Sequence, residues 1–104
     1  MRKSRRIRQL KLPPIHPGEI LMGELEELGV SVTALARALD VPQSRMAEIV
    51  KGERGVTADT ALRLAAYFGT PPRLWLNLQS AYDLATAEAA NGPLIQSRVR
   101  PFAA

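Results

Sequence analysis

The stretch that most constrains this chain is a corner. Between an apolar-patterned segment ending at Leu39 and another starting at Gln43 stand only Asp40, Val41 and Pro42. Pro42 pre-sets φ for a helix start, lacks the N–H that would be orphaned there, and pushes Val41 out of the α region, so the preceding helix must stop. So brief a link does not let the second helix run back antiparallel along the first, and the two pack at a steep angle. A turn this tight calls for a left-handed residue. Asp tolerates that conformation better than most side chains, which assigns it to Asp40. Close crossing needs a small residue in the first helix, supplied by Ala36, and an apolar inner side, supplied by Leu35, Leu39, Val41, Met46 and Ile49. Left outside on the second helix are Gln43, Ser44, Arg45, Ala47 and Glu48, with Lys51 and Arg54 just beyond it.

The remaining segments read as helices of similar scale. Pro17 suits a first helical position, Glu19 favours the positive helix start, and Leu21, Leu25 and Leu28 form one stripe before Gly29 ends the helix. The corner joins a helix from Ser31 or Val32 to Leu39 with one from about Gln43 to Val50. Thr57 caps a fourth through about Phe68, with Ala61, Leu64, Ala65 and Phe68 on one face and Gly69 as its stop. Thr70 and Pro71 start a fifth by a cap-then-proline signal, and Gly92 with Pro93 ends it. No stretch alternates with period two for long enough to predict a strand. The fold class expected is therefore all-α, a compact five-helix domain.

At 104 residues there is material for one hydrophobic core and not for two. The expected organisation is a flexible basic arm over 1–12, the helical domain over 13–92, and a short, disordered C-terminal tail over 93–104. Cysteine is absent, which excludes disulfide staples and thiolate metal sites. No apolar run approaches the ~20 residues of a membrane span, and the basic start does not lead into a signal-peptide core, so a cytoplasmic protein without membrane contact is expected. The net charge of +4 conceals a segregation: six of the 14 basic residues precede Pro13, and all ten acids lie between Glu19 and Glu88. With six basic residues against those ten acids, the segment 13–97 carries −4. The arm reads either as a solvated end or as an electrostatic arm for nucleic acid or an acidic partner.

Two short helices at such a corner make the helix-turn-helix geometry, whose second helix enters the major groove. Gln, Ser and Arg at its start are residue types that read base edges: Gln bonds adenine, Arg bonds guanine, Ser is permissive, and Glu48 could accept from cytosine. The candidate base readers are Gln43, Ser44, Arg45, Ala47 and Glu48. Candidate phosphate contacts are Lys51 and Arg54, with the first N–H groups of the second and fourth helices, at Thr33 and Thr57, assisting. Catalysis is not expected. The sole histidine, His16, sits at the start of helix one as a hydrogen-bonding or packing residue, Glu24, Glu26 and Glu27 read as a solvated face, and no phosphate-cradling glycine motif or metal-ligand cluster occurs. The fifth helix carries more apolar surface than one small domain covers, which predicts a homodimer interface at Trp75, Leu78 and Tyr82, the alternative being that Trp75 and Tyr82 complete the core of the single chain.

These residues carry a resemblance. The stretch "LARALDVPQSRMAEIVKGERGVTADTALRLAAYF" resembles the five-helix, lambda-repressor-like Xre or Cro/cI-type DNA-binding domain. "IHPGEIL" before it and "FGTPPRLWLNLQSAYDLATAE" after it resemble a narrower group, the HigA or VapI-type antitoxins. Asp40 stands where such domains usually have Gly, and Pro42 where Ser or Thr is common. The resemblance implies a dimeric repressor of its own operon, bound to a palindromic double-stranded DNA operator. It further implies neutralisation of a HigB/RelE-like toxin, an mRNA-cleaving ribonuclease. No cofactor, metal or small-molecule substrate is implied. A stand-alone Xre-family transcriptional regulator is the alternative, and a pure protein-interaction module the third reading.

Overall fold

The computed structural model describes residues 14–103, so the arm and its expected flexibility lie outside the described residues. Among the described residues there are five helices and no strand: α1 (Pro17–Leu28), α2 (Val32–Leu39), α3 (Gln43–Val50), α4 (Ala58–Phe68) and α5 (Pro72–Arg98).

Helix α1 starts with a reciprocal cap. His16 Nδ1 accepts from the Gly18 N–H at 2.9 Å, and the Glu19 carboxylate accepts from the His16 N–H at 3.2 Å. Both donors would otherwise be orphaned at a helix start. The far end closes on Gly29 in the left-handed region, with the Val30 N–H reaching back to the Leu25 carbonyl at 3.0 Å. Leu21 and Leu25 are buried against the core, but Leu28 is 56% exposed, because none of the described residues covers the last turn. The expected stripe is therefore one residue shorter.

The corner is built as expected and from the same motif. Asp40 has φ 58°, the one positive value on a non-glycine residue among those described. The Val41 N–H bonds the Ala36 carbonyl at 3.0 Å and the Asp40 N–H bonds the Arg37 carbonyl at 3.2 Å, satisfying the end of α2. Ala36 is buried at the crossing, and Leu35, Leu39, Met46 and Ile49 are buried behind it, with Val41 packed alongside. Helix α1 meets α3 end-on at Gly18: a Cβ there would overlap the Ile49 carbonyl, so the two backbones touch.

Thr57 caps α4 by accepting from the Thr60 N–H at 3.3 Å, and Gly69 ends it. Two expectations about α5 need correcting. Thr70 does not cap it; its hydroxyl accepts from the Trp75 indole N–H at 3.1 Å, and Pro71 precedes the helix without a side-chain bond. Nor do Gly92 and Pro93 end it, since the helix continues to Arg98, six residues past the boundary placed at 92. Proline breaks a helix by freeing one carbonyl and crowding it. Here residues 86–91 are exposed, so water can serve the freed group, and the helix persists. The expected disordered tail is thus helical in its first half.

Candidate nucleic-acid interface

Helix α3 is held by its inner side. Met46 and Ile49 are 0% exposed, wedged against α1 and α2, and this fixes which side chains can face outward. Gln43 and Ser44 are exposed at the helix start, Ala47 and Glu48 are half-buried one turn on, and Lys51 is exposed just past the end. They fall at i, i+1, i+4, i+5 and i+8, a single stripe along an α-helix. No acid pairs with Lys51 among the described residues.

The other basic candidates are engaged. Arg54 Nε donates to Glu48 Oε1 at 2.7 Å, so the expected phosphate clamp and the expected cytosine reader are bonded to each other. Arg45 lies off the stripe, its guanidinium 3.6 Å from Asp59 on α4. Thr57 uses its hydroxyl for capping, which leaves the early α4 N–H groups to offer outward. Thr33 is exposed in the first turn of α2, beside the Ser31 cap that accepts from the Ala34 N–H at 3.0 Å. Arg45, Arg54, Gly55, Thr57, Asp59 and Thr60 line an open cleft of about 340 Å³ at the start of α4.

Two positioning residues carry no signal in the sequence. Arg63 Nη1 donates to the Leu39 and Asp40 carbonyls at 2.8 and 3.2 Å, tying α4 to the corner. Gln79, buried in α5, accepts from the Val56 N–H at 2.8 Å and donates to Asp83 at 2.9 Å, pinning the loop between α3 and α4. Both act across more than 20 residues of chain, where local pattern says nothing.

The residues expected at a dimer interface separate. Trp75 is 3% exposed and belongs to the core of the single chain, packed by Phe68 at a ring distance of 5.8 Å. Leu78 is half-buried beside it, and Tyr82 sets its ring edge-on to His16 at 4.8 Å. Ile20, Phe68, Leu74 and Leu78, with Glu24 and Thr70 at the polar margin, border a mainly apolar groove floored by Trp75.

A family model described as Helix-turn-helix matches residues 21–75, a span that contains the corner, α3 and the cleft. The chain is 58% identical over 79 residues to virulence-associated protein I of Dichelobacter nodosus, covering 75% of this chain and 73% of that protein. An addiction module antidote protein of the HigA family from Coxiella burnetii superposes with a TM-score of 0.85 at 50% identity, covering 88% of this chain and all of that one. The antitoxin HigA of Pseudomonas aeruginosa, solved with the higBA promoter, superposes with a TM-score of 0.83 at 52% identity, covering 86% and 99%. The chain belongs to the Xre-type helix-turn-helix family, in its HigA branch. Within that HigA framework α5 beyond Trp75 lies outside the matched span, and no described helix is long and apolar enough to cross a membrane.

Proposed function

We propose that this HigA-type chain is an antitoxin that represses its own operon by reading DNA with α3. The observation that carries this is the polarity of α3. Its large apolar residues Met46 and Ile49 are consumed by the core, while Gln43, Ser44, Ala47 and Glu48 stand outward on a chain 52% identical to one solved with promoter DNA. Gln43, Ser44, Arg45, Ala47 and Glu48 contact base edges in the major groove. Lys51 and Arg54 contact phosphates, with the N–H groups at Thr33 and Thr57 adding neutral donors at two helix starts. Arg54 exchanges Glu48 for phosphate on binding, which frees Glu48 to accept from a base.

The chain works as a two-fold dimer through the apolar groove. Ile20, Leu74 and Leu78 are incompletely covered around the Trp75 floor, and Tyr82 continues the same side of α5. Two copies place their α3 helices about 34 Å apart, one turn of DNA, on a palindromic operator. The toxin partner is a HigB/RelE-like mRNA interferase, a basic protein met by acidic surface: Glu26 and Glu27 are exposed on α1 and lie outside the groove. The arm at residues 1–12 is the competing contact, and deletion of it with full neutralisation retained assigns the toxin to the acidic face.

A footprint on the region upstream of the chain's own gene, with and without the neighbouring gene product, tests the whole reading. A protected palindrome and a co-purifying small ribonuclease are expected. Protection with no toxin partner would leave a stand-alone regulator, and no protection would remove the DNA-reading role.

A further inference from the structure

Arg45 turns aside from the outward stripe of α3. Its side chain is 34% exposed, and its guanidinium points to Asp59 Oδ2 at 3.6 Å. The same oxygen accepts from Arg63 Nε at 2.9 Å. Through Nη1, Arg63 also donates to the Leu39 and Asp40 carbonyls that close the corner. Asp59 occupies the first turn of α4, where the helix dipole favours a carboxylate. An isolated surface ion pair restrains its partners weakly. This one differs because the acid is gripped from behind by an arginine anchored on main-chain atoms. The Arg45 head is therefore drawn toward a carboxylate, 59% exposed, whose own place is fixed through Arg63 on α4 and the corner.

We propose that Asp59 is a positioning residue for DNA recognition: it presents Arg45 at the mouth of the cleft between α3 and α4, and so determines specificity without touching the duplex. The inference rests on α3 being the DNA-reading helix. Two consequences of removing Asp59 have opposite sign. An acid beside phosphates weakens binding to any duplex, so losing its charge strengthens all binding alike. Losing a preset arginine weakens only the complex in which that arginine meets its intended base.

The test uses the full chain and two duplexes: the segment it protects upstream of its own gene, and a scrambled duplex of equal length and composition. Fluorescence anisotropy over a KCl series gives the affinity ratio between them. Asp59→Asn is expected to lower that ratio by about tenfold, the scale of one lost bidentate base contact, with scrambled-duplex binding equal or tighter. Asp59→Glu, which keeps the charge, recovers part of the ratio. In an Arg45→Ala background Asp59→Asn changes the ratio no further, because there is no guanidinium left to place. A circular-dichroism melt accompanies each variant, and Asp59→Ser, which retains a residue suited to the helix start, replaces Asn if the latter does not fold. An unchanged ratio, equal strengthening on both duplexes, or additive losses with Arg45→Ala overturns the positioning role. A wild-type chain that does not prefer the upstream duplex overturns the DNA-reading function instead, and the positioning role with it.

Discussion

Asp40 shows how a single residue sets a boundary that its neighbours then use. Its left-handed backbone lets the Val41 and Asp40 N–H groups satisfy α2, and Arg63 takes the two carbonyls left over. Glycine adopts that conformation freely and a β-branched residue does not. Asp40→Gly should therefore leave the melting temperature equal or higher, whereas Asp40→Val should destabilise by roughly 1–2 kcal/mol; thermal melts in the opposite order would refute this account of the corner. The two exposed polar residues at either end of α3 should behave differently on DNA. Gln43→Ala is expected to relax preference at one base pair by about 1–3 kcal/mol, seen in a base-substitution series. Lys51→Ala should weaken operator and random duplex alike and flatten the salt dependence by about one unit of slope. Equal losses for Gln43→Ala on both duplexes would mean that it reads no base.

At the scale of elements, the helices were legible wherever a cap or stop acts within a few residues. His16, Ser31 and Thr57 cap, and Gly29 and Gly69 stop, all by local hydrogen bonds that a short stretch of sequence contains. The misreadings concern α5, where local signals are ambiguous. A threonine before two prolines can cap a helix or reach another partner, and the nearby Trp75 indole takes it. A proline in a helix is a defect whose effect depends on whether water can reach the freed carbonyl. Pro93→Ala should therefore raise the helical signal of the folded protein and reduce fraying beyond residue 92, by up to about 3 kcal/mol locally. Hydrogen exchange at 94–98 measures this directly, and unchanged protection there would mean that the proline is not what limits the helix.

The whole molecule adds what no element holds alone. Leu78 and the groove around the Trp75 floor arise from α1, α4 and α5 together, so this surface exists only once they have packed. Leu78→Glu should shift the chain toward monomer in sedimentation or light scattering, with operator affinity falling as the two reading helices lose their fixed separation. A dimer unaffected by Leu78→Glu would place the interface elsewhere on α5. The proposed reading face is likewise more than α3, since two of its cations are matched within the chain, Arg54 by Glu48 and Arg45 by Asp59, while Lys51 pairs with no acid among the described residues. On the proposed DNA-reading role, an interface prepared in this way would favour duplexes that offer better partners than its own acids, trading non-specific affinity for discrimination.

What the amino-acid order determined by itself was the five helices of the described residues, the corner, and the division of α3 into an inner and an outer side. Those follow from periodicity, caps and the fixed φ of proline, each of which acts over a few residues. Only the packed chain decided that Trp75 belongs to the core, that Arg45 turns to α4, and that Arg63 and Gln79 hold the corner and the loop after α3. These contacts close over long stretches of chain. Their geometry depends on how helices settle against one another, and a residue's chemistry alone names several possible partners without choosing among them.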